Sequence, residues 1–229
     1  MKRTQQGFTL VEIAIVLVII GLLLGGILKG QEMIAQAKIK NVIGDMAGIS
    51  AAMYGYQDRY RALPGDDKGA ATRWATVAGI LPGDGDGVVA GKYLATAGES
   101  VQFWLHLRSA GFIAGTGLDH PFNAVSGKMG VQTGDGNYTA GPPAVPVGAV
   151  LNTVGPPAIT GFTGLILCSA NLPDKVAISV DAQTDDGNSL SGSVRGLTQA
   201  GQPNIPVVGA ATAYVEDGVS SYVVCRTLI

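Results

Sequence analysis

The chain has 229 residues, of which only 14% are charged, and it carries 34 glycines and 11 prolines. Its 15 basic and 17 acidic residues leave a net charge of −2 with no clustered basic patch, so composition gives no footprint of nucleic-acid binding. Two cysteines and two histidines, none at ligand spacing, form no zinc motif, and no Ser/His/Asp set or phosphate-binding glycine loop has recognisable local context.

The apolar run from Phe8 to Leu28 covers 21 residues, and Glu12 is its only charge. A helix rising about 1.5 Å per residue crosses the hydrocarbon core of a bilayer over that length. The run is apolar all round rather than along one stripe, which fits lipid or a fully buried bundle. Lys2 and Arg3 precede it, placing the N-terminus in the cytoplasm and the chain beyond Lys29 outside. A carboxylate inside such a segment costs roughly 2.5–3.5 kcal/mol and calls for a partner. A secretory signal would use Ala35-Gln36-Ala37 as its cleavage site, but it predicts a shorter apolar core. A plain anchor fits the length and leaves Glu12 without a reason; a specialised segment accounts for both.

Gly7-Phe8-Thr9-Leu10-Val11-Glu12, followed by Ile-Ala-Ile-Val-Leu-Val-Ile-Ile-Gly, resembles the cleavage and methylation signature of type IV prepilins and type II secretion pseudopilins. The resemblance implies that a prepilin peptidase cuts after Gly7, that the new amino group of Phe8 is methylated, and that Glu12 serves assembly as the acid at the fifth mature position. It implies a pilin-like α+β fold: a long N-terminal helix, transmembrane in its first half, packed on an antiparallel β-sheet head. Residues 1–7 would be the leader, 8–60 the helix with 8–28 in the membrane, and 61–229 the head. The implied function is a structural subunit of a pilus-like filament rather than an enzyme. The alternatives are a secretion pseudopilin or, from another class, a tethered periplasmic binding module or enzyme. Its partners would be further copies of itself, prepilin peptidase, the membrane and the inner-membrane pilus or secretion machinery. The precursor would reside in the inner membrane and the product in an extracellular pilus or periplasmic pseudopilus. Tyr60–Asp66, Trp104–Gly111 and Asp185–Asn188 also resemble stretches of a glycine-rich branch of pilin-like proteins.

Physical chemistry fits that implication. Cleavage would place an ammonium four residues before Glu12, and residues at i and i+4 share one helix face. Beyond Leu28 amphipathic spacing continues and no proline occurs before Pro64, so one helix is expected to about Tyr60. Gly21, Gly25, Gly26 and Gly30 cost about 1 kcal/mol each relative to alanine, which suits either close helix approach or local unwinding. The tripeptides Arg59-Tyr60-Arg61 and Thr72-Arg73-Trp74 combine cation and aromatic, a pattern of ordinary surface packing unless a charged groove accompanies it.

In the remainder, Ala62–Asp67 reads as a helix stop and turn, and Glu99–Ala110 as a helix with Val101, Trp104, Leu105 and Leu107 inward and Gly111 as its cap. Strands are expected at 145–151, 159–168, 175–181, 205–214 and 219–226. Helix first and antiparallel strands after point to α+β. Cys168 and Cys225, outside the cytoplasm, are most simply a disulfide. Asp181, Asp185 and Asp186 form an acidic cluster that reads as a solvated turn or, more weakly, as a calcium loop; no other cofactor is expected. Asp84-Gly85-Asp86-Gly87 is a poorer match to a calcium loop.

Overall fold

Fifty-one residues, Leu10–Tyr60, form the first helix, α1. The structure is a computed structural model and describes residues 10–138, 148–153, 159–199 and 209–229. Two compact units divide the chain, Met1–Lys38 and Ile39–Ile229. In the first, the large aliphatic side chains from Leu10 to Leu28 are 46–90% exposed. This is the apolar run expected of a membrane segment, and the helix is long and apolar enough to cross one.

The second unit contains the sheet. After α1 come α2 (Ala70–Arg73), α3 (Glu99–Ser109), β1 (Met129–Thr133), β2 (Leu165–Pro173), α4 (Asp174–Thr184), β3 (Val194–Thr198) and β4 (Ser221–Thr227). The strands pair antiparallel throughout in the order β1-β2-β4-β3. The architecture is therefore α+β, a long N-terminal helix with a four-stranded antiparallel sheet. On α1, Ile39, Val42, Met46, Ile49, Met53 and Tyr56 recur at helical spacing and are buried. They join Phe103, Trp104 and Leu107 of α3 and the sheet residues Leu165, Leu167, Tyr222 and Val224 in one core. The opposite sheet face presents Ile166, Cys168, Ala170, Val223 and Cys225, which loop residues Tyr93, Val150, Leu151 and Phe162 cover. Alternate side chains along a pleated strand leave on opposite faces, so β2 and β4 contribute to both cores.

Several expected boundaries differ. Residues 175–181 are not a strand but lie in α4, where Val176, Ala177, Val180 and Asp181 are buried at helical spacing. Asp174 starts that helix by accepting from the Lys175 N–H, a favourable charge in the first turn. The strand expected at 159–168 begins only at Leu165 and continues to Pro173. Within 145–151 and 205–214 the described residues hold no strand, only a bridge at Val150; residues 145–147 and 205–208 lie outside the described residues. β4 lies close to the expected 219–226.

β1 and β3, both unanticipated, each carry a glycine where another segment presses in. A Cβ on Gly130 would meet the Tyr93 carbonyl oxygen at 2.0 Å, and one on Gly196 the Tyr214 ring at 2.6 Å. Packing thus demands a residue of poor strand propensity in each. Helix α3 closes as expected. Gly111 takes φ 78°, and its N–H and that of Phe112 bond back to the carbonyls of Arg108 and Leu107, the Schellman pattern.

Candidate functional site

Glu12 lies in the first turn of α1, where the helix dipole favours a negative charge. Gly7 and Phe8, the expected cleavage and methylation positions, lie outside the described residues. Around Glu12 the surface is aliphatic, with Leu10 90% and Val11 66% exposed. Gly21, Gly25, Gly26 and Gly30 all sit within the helix, and a Cβ at any of them would meet no atom within 4 Å. The helix is continuous through them, and no packing among the described residues requires these glycines. What this segment offers chemically is an apolar rod with one carboxylate near its start.

In the head, the turn after α1 is held by two buried carboxylates that sequence reasoning did not single out. Asp67 accepts from the Tyr56 hydroxyl at 2.7 Å, the Gly69 N–H at 2.8 Å and the Arg73 guanidinium at 2.6 Å. Burial alone would raise its carboxyl, but those donors outweigh burial and hold it below the usual range. Arg73 also lies over the Tyr60 ring at 4.3 Å, so the two cation–aromatic tripeptides meet each other. Asp66 is wrapped by the N–H groups of Gly85, Asp86 and Gly87. The Asp84–Gly87 loop is therefore an anion-binding nest whose anion is the chain's own carboxylate.

Carboxylate oxygens of Asp181, Asp185 and Asp186 lie within 4.8 Å of one another. Asp181 accepts from Gly187 N–H and the Tyr214 hydroxyl, Asp185 from Ser193 and Val194 N–H, and Asp186 from Asn188 N–H and the Ser191 hydroxyl. Burial pushes the Asp181 carboxyl up to about 6. Calcium takes roughly 6–8 oxygens, and three carboxylates already serving protein donors fit such a shell poorly. Thermal unfolding midpoints should accordingly coincide in calcium and in chelator; an upward shift with calcium would reassign the cluster.

Against known families, residues 2–28 match the model for the prokaryotic N-terminal methylation motif. This chain carries the type IV pilin and pseudopilin signature. No curated protein and no solved structure matches it. The match spans the Gly7–Phe8 junction, Glu12 and the apolar run to Leu28, and none of the head. The pilin signature and the apolar helix together fit a membrane-anchored precursor, and the α+β head behind them is consistent with a pilin-like fold.

Two further features bear on how the Ile39–Ile229 unit holds together. Cys168 and Cys225 are joined by a disulfide that pairs β2 with β4, buried on the loop-covered face. His106, fully buried on α3, accepts the Gly65 N–H at Nδ1 (2.9 Å) and so donates from Nε2 to the Leu81 carbonyl (2.9 Å). It is a neutral imidazole clamping the post-helix turn.

Burial lowers the His106 pKa below 6.5, outweighing the Leu81 hydrogen bond and the nearby Asp67 charge, while Arg73 lowers it further. A histidine lowered on folding contributes stability that is present above its unfolded pKa and is lost as pH falls from about 6.5 through the folded value. His120 shifts the same way, and Asp181, raised on folding, acts oppositely below about 6. His106→Gln, whose amide can keep both bonds, isolates the term. Denaturant midpoints compared at about pH 7.5 and pH 5 should fall less in the variant than in the parent; equal falls would remove this role.

Proposed function

We propose that this protein is a structural subunit of a type IV pilus-like filament, not an enzyme. A prepilin peptidase cleaves after Gly7, Phe8 is N-methylated, and membrane assembly machinery transfers the mature subunit into the filament. The observation that carries the reading is the methylation motif over residues 2–28, with one acid, Glu12, in an otherwise apolar run to Leu28. In the precursor the aliphatic surface is satisfied by lipid. In the product it must be covered by other copies, because an exposed apolar surface of that extent is unstable in water. Cleavage adds a cation four residues before Glu12. The Phe8 ammonium, within the chain or from a neighbour, compensates the desolvated Glu12 carboxylate and penalises wrong axial registers. Loss of Lys2 and Arg3 with the leader removes two cations and takes the net charge from −2 to −4.

A secretion pseudopilin shares the same signature, so a short periplasmic filament is the second reading. The test is to express the chain with and without prepilin peptidase. With the enzyme, a shortened subunit should appear in sheared filaments. Without it, the full-length chain should stay in the membrane fraction. Filaments built of uncleaved chain would overturn the proposal.

A further inference from the structure

Two glycines in the Ile39–Ile229 unit have no reason inside it. Gly44 and Gly48 each cost α1 about 1 kcal/mol relative to alanine, yet a Cβ at either would meet no atom within 4 Å. Gly55 differs, since its Cβ would meet the Phe112 ring at 2.8 Å. Gly44 and Gly48 line a groove of about 320 Å³ whose apolar wall includes Ile113 and Phe122, the latter 62% exposed. Asp45 stands in the same groove. Partial burial pushes its carboxyl above the usual range, and among the described residues it has no ion-pair partner. Arg108, also in the groove, gives its guanidinium to the carbonyls of Gly117 and Asp119 instead. The occupant that fits is apolar, approaches the α1 backbone closely and brings a cation.

This chain carries such a segment. Ile34 is 59% exposed, and Ile34 and Lys38 are four residues apart on one helix face. Lys38 is exposed and has no ion-pair partner among the described residues, whereas Lys29 is already paired with Glu32 at 2.7 Å. Lys38 precedes Asp45 by one heptad. A parallel copy displaced by about 10 Å would bring Lys38 level with Asp45 and Ala37 level with Gly44, small residue against small residue.

Resting on the assembly reading above, we propose that this groove receives α1 of a second copy, with Ala37 against Gly44, Ile34 reaching the apolar wall and Lys38 paired with Asp45. The test uses the full chain in assembling cells. Asp45→Lys and Lys38→Asp should each lower the yield of sheared filaments by about tenfold or more, because like charges then face each other, and combining them should restore most of it. A Lys38→Cys/Asp45→Cys chain, oxidised in filaments, should give a reducible ladder of multimers that neither single variant gives. Undiminished filaments from both reversals, a double reversal without rescue in heads of unchanged thermal midpoint, or no ladder from assembled double-cysteine filaments would overturn the pairing while leaving the assembly reading intact. Parent chain that is produced and cleaved yet never forms filaments would overturn that reading, and the pairing with it.

Discussion

Glu12→Ala should give a subunit that is produced, cleaved and retained in the membrane, yet fails to enter filaments. The substitution removes the one charge of the apolar segment, which eases membrane residence by roughly 2.5–3.5 kcal/mol on insertion scales. Anchoring should therefore improve while assembly is lost, a split that general destabilisation cannot produce. In the growing filament the Phe8 ammonium would be desolvated without its carboxylate, and an uncompensated buried charge costs about 3–5 kcal/mol. Filament yield by shearing and electron microscopy should fall by about a hundredfold or more even at the lower end of that range. Glu12→Gln separates charge from shape and should fail similarly. Long fibres from either variant would refute the role assigned to Glu12. The head cannot confound the result, because its hydrophobic core begins at Ile39.

The second large effect concerns the head. Cys168→Ser with Cys225→Ser should lower its stability by on the order of 4 kcal/mol in the chain-entropy account, since the disulfide closes a loop with a sequence separation of 57 residues. That is a large fraction of the roughly 5–15 kcal/mol that holds a typical domain. The bond is buried between the two inner strands of the sheet, so the hydroxyl replacements also meet an apolar environment with no assured partner. Thermal unfolding of the subunit should show a midpoint lowered by several degrees or more in the variant. The parent should show the same loss only when reductant acts on partly unfolded protein, because both cysteines are fully buried. Matching midpoints for parent and variant would mean that the disulfide contributes nothing to the fold.

The long helix was legible because nothing interrupts it. The apolar run, the amphipathic continuation and the absence of proline before Pro64 all point to one element, and α1 runs to Tyr60. α3 was legible from its inward residues and from Gly111 as its stop. The sheet was less so, for a physical reason. Both of its faces are buried, one by helices and one by loops, so β1 and β4 do not show the period-two alternation of a half-exposed strand. In β1 and β3 the residues facing close neighbours are glycines, Gly130 and Gly196, which read as breakers when seen in isolation. α4 was misread because Val176, Ile178 and Val180 alternate with small or polar residues like a strand. The buried set Val176, Ala177, Val180 and Asp181 shows the helical period that decides.

The candidate site divides along the same line. Glu12 announces itself by being a lone acid in an apolar run, a signal that is local in sequence. Asp67 and His106 could not announce themselves, because their meaning lies in partners 6 to 41 residues away, namely Tyr56, Arg73 and Gly65. The close pairing of Asp66 with the Asp84–Gly87 loop was equally hidden, and it gives those acidic and glycine residues a structural role.

In the proposed subunit Glu12 forms an ion pair with the Phe8 amine that cleavage after Gly7 exposes. Mass spectrometry of the mature protein's N-terminal peptide tests it most directly. The mature chain should begin at Phe8, with one added methyl group on its amine and Glu12 intact four residues on. A mature chain beginning at Lys38, after the Ala35-Gln36-Ala37 site, would contradict it, and so would one that still carries Lys2 and Arg3.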